Sequence, residues 1–357
     1  MSQTHEVPTH MKAAVTLGNT KVALKSDVPV PKPGPGQILV KVIAAAQNPP
    51  DCFSLHQNVT TGLVIGLDYA GIVVDIGPDV PTGQRHVGER VAGFINGART
   101  KEWTGAFAEY CLAEAHLVLN LPDSMSFEDA SSLGLAGFTA CQLLWLNHRA
   151  LPTPDAPTQK PFPLLVWGGA SSVGQYTIQL AKLSGLTVIA TASPKNFDLV
   201  KSLGADAVFD YRDPGVSSKI KEFTSDELSE AIDCVSTKDT IVQVEQSLGK
   251  NGGHIATVMP VSVTRPDVTC EFMLVYTLLG RVIDFGPAYQ YPVIPKHVHA
   301  GQRFGKTMNE LLVTGNLRPN PLKIVPNGLK DVQQWIEYHE QGKLSAEKIV
   351  YRISDTP

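Results

Sequence analysis

The sequence predicts an α/β protein in which a β-rich domain, split in sequence, surrounds an inserted domain built on a parallel sheet. Short strand-like runs punctuated by Gly, Pro and Asp fill the first third of the chain, as in "MKAAVTL" and "AGIVVDIG". From "PLLVWGG" to "GGHIATVMP", apolar runs alternate with helical spacing, which predicts parallel strands covered by helices on both faces. The chain then returns to mixed structure and ends in a predicted helix, "LKDVQQWIEYHEQG", and a predicted strand, "EKIVYRI".

Length and composition describe a globular protein with a sizeable core. The 357 residues fit two domains, which we place at 1–130 with 312–357 and at 131–311. Hydrophobic residues make up 43% of the chain and the net charge is −4, so no overall basic field favours nucleic acid. The five cysteines are odd in number and widely spaced, which argues against a disulfide framework. No apolar run approaches the roughly 20 residues of a membrane span, and no signal core opens the chain, so we expect a cytoplasmic protein.

A glycine-rich turn between an apolar strand and a helix predicts a dinucleotide site. "GGASSVG" (168–174) follows "LLVW" and leads into a predicted helix over Ser172–Leu183. Glycines at such a turn let backbone approach a pyrophosphate, and the helix N-terminus adds N–H groups and positive potential. Ser171 replaces the middle glycine of the usual G-x-G-x-x-G pattern, but small hydroxyls also donate to phosphate. A small-residue joint in any α/β protein is the alternative interpretation. The predicted phosphate-binding residues are Gly169, Ala170, Ser171, Ser172 and Val173.

The end of the second strand of the inserted domain favours NADPH over NADH. An Asp or Glu about 20 residues after the glycine turn would bind the ribose 2′-hydroxyl of NAD, but "TASPKN" (191–196) contains no acid. Ser193 and Lys195 offer a 2′-phosphate a hydrogen bond and a positive charge, although Lys195 by itself is equally a solvated lysine. Tyr211, after the third strand, lies near the adenine end or is a half-buried core residue. The residues predicted for this end of the cofactor are Ser193, Pro194, Lys195, Asn196 and Tyr211.

Five motifs, in this order along the chain, resemble the medium-chain dehydrogenase/reductase superfamily. They are "GLDYAGIV" (66–73), "GERVAGF" (88–94), "GAFAEY" (105–110), "GLAGFTA" (134–140) and "GGASSVG". They are similar to its quinone-reductase and enoyl-reductase branch, which implies a GroES-like catalytic domain and a Rossmann-type cofactor domain. "NPPD" (48–51), "TASPKN" and the Pro-rich stretch 151–163 most resemble the trans-acting enoyl reductases of fungal polyketide pathways.

The residues at the zinc positions of the alcohol-dehydrogenase branch indicate a metal-free enzyme. That branch has a Cys ligand near position 48 and a His-Glu pair in the stretch that here reads "GLDYAG". This chain has Asn48 and Leu67-Asp68 there, and it lacks the closely spaced cysteines of a structural zinc site. We therefore expect no metal. Without zinc to polarise an alcohol, we expect reduction of an α,β-unsaturated thioester, with hydride from NADPH reaching Cβ and a proton reaching Cα.

The resemblance also implies which residues lie near the nicotinamide half of the cofactor. The "NPPD" segment (48–51) would lie against the nicotinamide half. Two residues after the fifth strand of the inserted domain would contact the nicotinamide through their backbone. A pair at the start of the last strand matches the segment that closes over the cofactor. These residues are Asn48, Pro49, Pro50, Asp51, Val258, Met259, Glu347 and Lys348.

Thr139 is the catalytic residue that the resemblance implies, with a hydroxyl that orients cofactor or substrate. A helical threonine bonded back to its own turn is the alternative. The small side chains around it are expected to shape a substrate channel, although helix packing explains them too. The expected substrate-binding residues are Gly134, Leu135, Ala136, Gly137, Phe138, Thr139, Ala140 and Cys141.

The segment that begins with "NPPD" differs at two positions from the corresponding segment of the family. Relatives often have N-P-x-D-W-K, whereas this chain has "NPPDCF", so Cys52 stands for Trp and Phe53 for Lys. A lysine donor near cofactor and substrate is therefore missing, which leaves tyrosine, threonine or water as the source of the Cα proton.

Three functional hypotheses follow from the sequence. The leading one is an NADPH-dependent enoyl reductase that acts in trans on a polyketide intermediate carried by a partner synthase, either a polyketide synthase or a hybrid synthase. The alternatives are a stand-alone NADPH quinone or enone reductase and an NADPH-binding protein without catalysis. Many relatives pair edge strands across a dimer at the stretch here reading "VYTLLGRVIDFG" (275–286), but the most similar-looking ones favour a monomer.

Overall fold

A computed structural model describes residues 7–57, 60–97, 105–146, 151–286 and 289–357. The chain divides into two compact units, and we call them the terminal unit (Met1–Leu135 with Tyr276–Pro357) and the inserted unit (Ala136–Val275). The predicted fold class, a β-rich domain split around a parallel-sheet domain, is confirmed. None of the helices in these ranges is long and apolar enough to cross a bilayer.

The first part of the terminal unit is mainly antiparallel sheet. Its strands are β1 (His10–Gly18), β2 (Lys21–Pro29), β3 (Gln37–Ala46), β4 (Asp68–Ile76), β5 (Arg90–Phe94), β6 (Tyr110–Glu114) and β7 (Val118–Asn120). Its helices are α1 (Pro49–Gln57), α2 (Phe127–Ser131) and α3 (Gly134–Trp145), the last of which continues into the inserted unit. β1 and β2 form a separate hairpin, and β3 pairs with both β4 and β6.

The inserted unit is a six-stranded parallel sheet with helices between its strands. The strands are β8 (Pro163–Trp167), β9 (Thr187–Ala192), β10 (Ala207–Asp210), β11 (Glu230–Asp233), β12 (Gly253–Thr257) and β13 (Val268–Phe272). The helices are α4 (Ser172–Leu183), α5 (Phe197–Ser202), α6 (Val216–Phe223) and α7 (Lys238–Ser247). The strand order is β10-β9-β8-β11-β12-β13. The order reverses between β8 and β11, so the carboxyl ends of these strands border the crevice where open parallel sheets bind ligands.

The core of the inserted sheet explains why its strands are apolar throughout. Leu165 on β8, Ile189 on β9 and Ile255 on β12 are fully buried and belong to one apolar cluster. A parallel sheet covered on both faces needs apolar residues at consecutive positions, not at alternate ones. The predicted helix over Ser172–Leu183 has the same bounds in the structure.

The last part of the chain completes the terminal unit. Its strands are β14 (Ile283–Asp284), β15 (Gln290–Tyr291), β16 (Leu322–Val325) and β17 (Lys348–Arg352), and its helices are α8 (Pro295–Val313) and α9 (Val332–Glu340). Short 3-10 helices cover Pro194–Asn196, Val275–Leu279, Gly328–Asp331 and Ile353–Asp355. β17 pairs antiparallel with β3, as Val350 opposite Ala46 shows, so the end of the chain extends the sheet begun near its start.

The second boundary of the inserted unit lies earlier than the predicted one. We placed it between residues 311 and 312, whereas the compact unit ends at Val275. Residues 276–311 group with the terminal unit, and hydrogen bonds link Leu278 and Asn309 to it. The ring nitrogen Nε2 of His116 lies 3.2 Å from Leu278 O, and Asn120 N donates to Asn309 Oδ1 at 3.0 Å.

Candidate functional site

The carboxyl edge of the inserted sheet collects the predicted cofactor residues of that unit. In the parallel register, Ala192 at the end of β9 lies beside Asp210 at the end of β10. Asp233, at the end of β11, lies beside both Trp167 of β8 and Thr257 of β12. The loops that follow these five strand ends therefore lie along one edge of the sheet. They contain the glycine turn, Ser193–Asn196, Tyr211, and Val258 with Met259.

The glycines of the turn are close-packed, and a Cβ atom at Gly168 or Gly174 would collide with neighbouring atoms. Gly168 has a positive φ of 79°, and its N–H donates to Thr191 Oγ1 at 3.0 Å. A Cβ atom at Gly174 would lie 2.3 Å from Gly168 O, so α4 packs against the turn only because position 174 is glycine. Backbone N–H groups at a helix N-terminus form the kind of cradle that a pyrophosphate requires.

Ser171 caps α4, which explains a serine at the middle-glycine position. Its φ is −69°, an ordinary extended value that needs no glycine, and its Oγ accepts a hydrogen bond from Gly174 N at 3.1 Å. Capping uses the oxygen as an acceptor, so the O–H proton can still be donated to a phosphate. The residue therefore has a structural role that the sequence pattern alone did not assign.

The residues predicted for the 2′-phosphate lie together after β9 and β10. Ser193 is half-buried and accepts a hydrogen bond from Asn196 Nδ2 at 3.3 Å, whereas Pro194 and Lys195 are exposed. Tyr211 is 42% exposed, which favours a surface position over its alternative as a core residue.

Arg212 is a second cation at this end that the sequence reasoning missed. Its guanidinium lies 5.9 Å from the centre of the Tyr211 ring and donates to both carboxylate oxygens of Asp210, at 3.0 and 2.9 Å. This pairing lowers the pKa of Asp210. The signal was its position directly after Tyr211 in "DYRD". A glycine cradle, the Ser193 hydroxyl, Lys195 and the Arg212–Asp210 ion pair therefore lie along the edge at which an open parallel sheet binds ligands.

The residues expected at the nicotinamide end follow β12. Val258 is half-buried and its N–H donates to Ser236 Oγ at 3.0 Å, whereas Met259 is 44% exposed. Ser236 belongs to the loop after β11, which the sequence reasoning also missed. The signal was available, since every loop at the carboxyl end of a parallel strand near the order reversal is a ligand-site candidate.

A buried polar cluster in the terminal unit joins three residues that are distant in sequence. Lys348 Nζ donates to Asn48 Oδ1 at 2.5 Å and lies 3.0 Å from Asp68 Oδ2. Asn48 Nδ2 donates to the same Asp68 oxygen at 2.9 Å. Both charged side chains are almost fully buried, with 2% exposure for Lys348 and none for Asp68. Of the three, the sequence predicted Asn48 and Lys348 as site residues and missed Asp68.

Asp68 also binds the N-terminus of α3. Leu135 N donates to Asp68 Oδ1 at 2.6 Å, and a carboxylate is stabilised at this positive end of a helix. A Cβ atom at Gly134 would lie 2.3 Å from Gly93 O and 2.6 Å from Asp68 Oδ1. Gly134 is therefore required for the helix to begin against the carboxylate, which is a packing role.

The side chains of residues 48–53 differ in burial from one position to the next. Asn48 and Asp51 are buried and bonded to each other, with Asn48 N donating to Asp51 Oδ2 at 2.7 Å. The exposed residues are Pro49 and Phe53, and Phe53 is 47% exposed. Burial raises the pKa of Asp51, and the nearby Asp68 carboxylate raises it further.

The expected substrate segment on α3 is buried along its whole length. Phe138, Ala140 and Cys141 have no exposed surface, whereas Leu135 and Thr139 each retain 7%. These two are four residues apart and so lie on one face of the helix. Their burial agrees with the packing alternative for Phe138, Ala140 and Cys141, and Thr139 is buried with them except for this small exposed fraction.

Glu347 and Lys348 are neighbours in sequence, but Glu347 is exposed and Lys348 is buried. Glu347 is exposed and follows Ala346, which has a positive φ of 59°. Lys348 begins β17, and its N–H donates to Pro321 O at 2.8 Å.

In the ranges that the structure covers, no three His, Cys, Asp or Glu side chains are grouped to hold a metal.

Two family descriptions match consecutive parts of the chain. Residues 34–123 match "Alcohol dehydrogenase GroES-like domain", and residues 172–267 match "Zinc-binding dehydrogenase". The first range lies within the terminal unit and the second within the inserted unit, in agreement with the predicted fold class.

Fungal proteins are similar to this chain along nearly its whole length. Trans-enoyl reductase caaB of Aspergillus niger is 36% identical, over 99% of this chain and 100% of that protein. Trans-enoyl reductase FSL5 of Gibberella zeae is 35% identical, over 97% of this chain and 98% of that protein. Trans-enoyl reductase RAP1 of Pyricularia oryzae is 37% identical, over 93% of this chain and 94% of that protein. The resemblance inferred from the motifs is confirmed.

Solved structures share the fold at lower identity. CurK enoyl reductase superposes with a TM-score of 0.74 at 19% identity, covering 96% of this chain and 98% of that chain. The quinone oxidoreductase of Coxiella burnetii gives a TM-score of 0.69 at 26% identity, covering 96% of this chain and 99% of that chain.

Proposed function

The chain belongs to the trans-enoyl reductases of the medium-chain dehydrogenase/reductase superfamily, and from this premise we propose that it is an NADPH-dependent enoyl reductase acting in trans. The superfamily makes it an oxidoreductase with a nicotinamide cofactor. Its proposed substrate is the α,β-unsaturated thioester of a polyketide intermediate held on a partner synthase. The observation that carries this proposal is the similarity to trans-enoyl reductases over 99% of the chain.

The proposed choice of NADPH rests on the residues at the carboxyl edge of the inserted sheet. Ser193 offers a hydroxyl and Lys195 a cation there, and "TASPKN" has no acid for a free ribose hydroxyl. Arg212 is a second cation at this end and is paired with Asp210. The glycine cradle, with Ser171 at its helix end, would hold the pyrophosphate. When bound, NADPH supplies the reducing hydride.

The protein's own part in the reaction is placement and hydrogen bonding. Negative charge develops on the thioester oxygen during reduction, and a fixed donor stabilises it. We propose Thr139, a residue that retains 7% exposure, as the group that orients cofactor or substrate. Phe53 has no proton to give, so tyrosine, threonine and water are the proposed sources of the Cα proton.

The cellular setting is part of the proposal. A reductase acting in trans needs a partner that carries the substrate, for which we propose a polyketide synthase or a hybrid synthase. We also propose a cytoplasmic location and a monomeric state.

The test is turnover of enoyl thioesters carrying a pantetheine arm. We expect NADPH to be consumed with these substrates and NADH to be used poorly. The matching saturated thioester is the control, because it has no double bond to reduce. Turnover of free quinones without any thioester activity would indicate a stand-alone quinone reductase. NADPH binding with no turnover of any activated alkene would indicate a protein without catalysis.

A further inference from the structure

The loop between β11 and α7 is organised by one buried carboxylate. Asp233 Oδ1 accepts hydrogen bonds from Val235 N at 2.9 Å and Ser236 N at 2.8 Å. Its Oδ2 accepts from Thr240 Oγ1 at 2.7 Å. Asp233 has no exposed surface, so the conformation of the loop Cys234–Thr237 is set from inside the sheet.

Ser236 connects this loop to the neighbouring one. Its φ is 57°, a left-handed conformation that is unfavourable for a residue with a Cβ. Its hydroxyl donates to Asp233 O at 2.7 Å and accepts from Val258 N at 3.0 Å. The Ser236 side chain makes this backbone conformation unfavourable, and the same side chain links the loop after β11 to the loop after β12.

Each of the two linked loops carries one exposed apolar side chain. Val235 is 41% exposed and Met259 is 44% exposed. A Cβ atom added at Gly168 would lie 2.6 Å from Val235 Cγ2, so Val235 lies directly against the turn. Exposed apolar surface at a ligand-binding edge is suited to a flat, weakly polar ring.

We infer that Ser236 is a positioning residue for the nicotinamide half of the cofactor. Its hydroxyl holds Val235 and Met259 in one apolar wall on the side of the crevice opposite the 2′-phosphate residues. This inference rests on the proposed use of NADPH. It predicts that the loss of the hydroxyl affects the nicotinamide half of the ligand and leaves the adenosine half unaffected.

The test compares two ligands on matched glycine variants. Ser236→Gly removes the hydroxyl and relieves the left-handed backbone. Ser225→Gly is the control, because Ser225 also has a positive φ, 52°, is exposed, and lies before β11 at the opposite edge of the sheet. The ligands are NADPH and 2′,5′-ADP, which has the adenosine and 2′-phosphate but no nicotinamide. We expect Ser236→Gly to weaken NADPH about tenfold and 2′,5′-ADP not at all. Ser225→Gly should change neither affinity.

The outcomes separate this inference from the proposed function. Unchanged NADPH affinity in Ser236→Gly, or an equal loss for both ligands, overturns the positioning role. If the unmodified protein binds neither ligand, the proposed use of NADPH fails and the inference fails with it. Ser236→Ala, which keeps the left-handed cost and loses the hydroxyl, should show the same selective loss as the glycine variant. Wild-type affinity in Ser236→Ala would overturn the role of the hydroxyl.

Discussion

At the scale of single residues, Ser171 shows how one side chain resolves an apparent flaw in a motif. The middle position of the dinucleotide fingerprint needs glycine when its backbone conformation or its close contacts exclude a side chain. Neither condition holds at Ser171. Its φ is −69° and its hydroxyl caps α4 through Gly174 N. The sequence predicted a phosphate donor at this position, and the structure adds a cap that is worth about 1 kcal/mol in comparable helices.

A change of charge at Ser171 separates its two roles. Aspartate is as good an N-cap as serine, so Ser171→Asp should keep α4 intact while placing a carboxylate in the phosphate cradle. We expect NADPH binding to weaken by about a hundredfold or more, since like charges about 4 Å apart repel by several kcal/mol near a protein surface.

Ser171→Asn is the matched control, because asparagine caps equally well without a charge. Both variants are measured by NADPH titration and by thermal unfolding. Near-normal affinity in Ser171→Asp would mean that the pyrophosphate lies elsewhere, whereas equal losses in both variants would indicate a steric effect in place of a charge effect.

At the scale of elements, the buried cluster of Asn48, Asp68 and Lys348 joins four segments of the terminal unit. Asn48 precedes α1, Asp68 begins β4, Lys348 begins β17, and Leu135 brings in the first turn of α3. A buried ion pair of this kind is tolerated because every charged atom finds a partner, and removing one partner strands the other. The sequence pointed to Asn48 and Lys348 separately, through resemblance, and gave no sign that they touch.

The stability of this junction should depend on pH through Asp51. Burial and the nearby Asp68 carboxylate raise the pKa of Asp51. The backbone hydrogen bond from Asn48 and the charge of Lys348 act in the opposite direction and lower it by less. A carboxyl whose folded-state pKa is raised stabilises the fold fully below its unfolded pKa, and this contribution is lost as pH rises through the folded pKa. Asp51→Asn is neutral at every pH, so its melting temperature relative to the wild type should rise from about pH 5 to about pH 8.

An exposed aspartate supplies the control for this pH series. Asp123→Asn removes a carboxyl at the surface of the same unit, and its difference from the wild type should stay nearly flat over the same range. A melting difference for Asp51→Asn that is flat, or that falls with rising pH, would contradict the raised pKa.

At the scale of the whole molecule, the segment that pairs across a dimer in many relatives is not a free strand here. Val275–Leu279 forms a 3-10 helix, and β14 pairs with β15, as Ile283 opposite Tyr291 shows. Pairing with β15 occupies only one of the two edges of β14. The monomeric state therefore remains a proposal, and the mass of the protein in solution tests it.

Light scattering after size exclusion should therefore give the mass of one chain, 38.4 kDa, at every concentration tested. Val282→Asp, at a position that is 65% exposed on this segment, should leave the mass unchanged. A wild-type mass of two chains that falls to one chain in Val282→Asp would contradict the proposal and place the interface at this segment.

The sequence by itself determined the features that depend on local pattern. These features are the glycine turn, the bounds of α4, the missing acid after the second strand and the alternation of strands with helices. Each can be recognised within a few neighbouring residues, because hydrogen bonding and side-chain direction within one element set it. β13, by contrast, has no helix between it and β12, so an alternation of strands with helices does not indicate it.

Only the tertiary structure decided which distant residues meet. Lys348 reaches Asn48 across 300 positions, Ser236 links to Val258 through a hydroxyl bond, and Asp68 receives the start of α3. Residues 276–311 likewise joined the terminal unit through contacts with segments near residue 120. Such pairings are set by how buried polar groups find partners when elements pack, and neither periodicity nor composition records that choice.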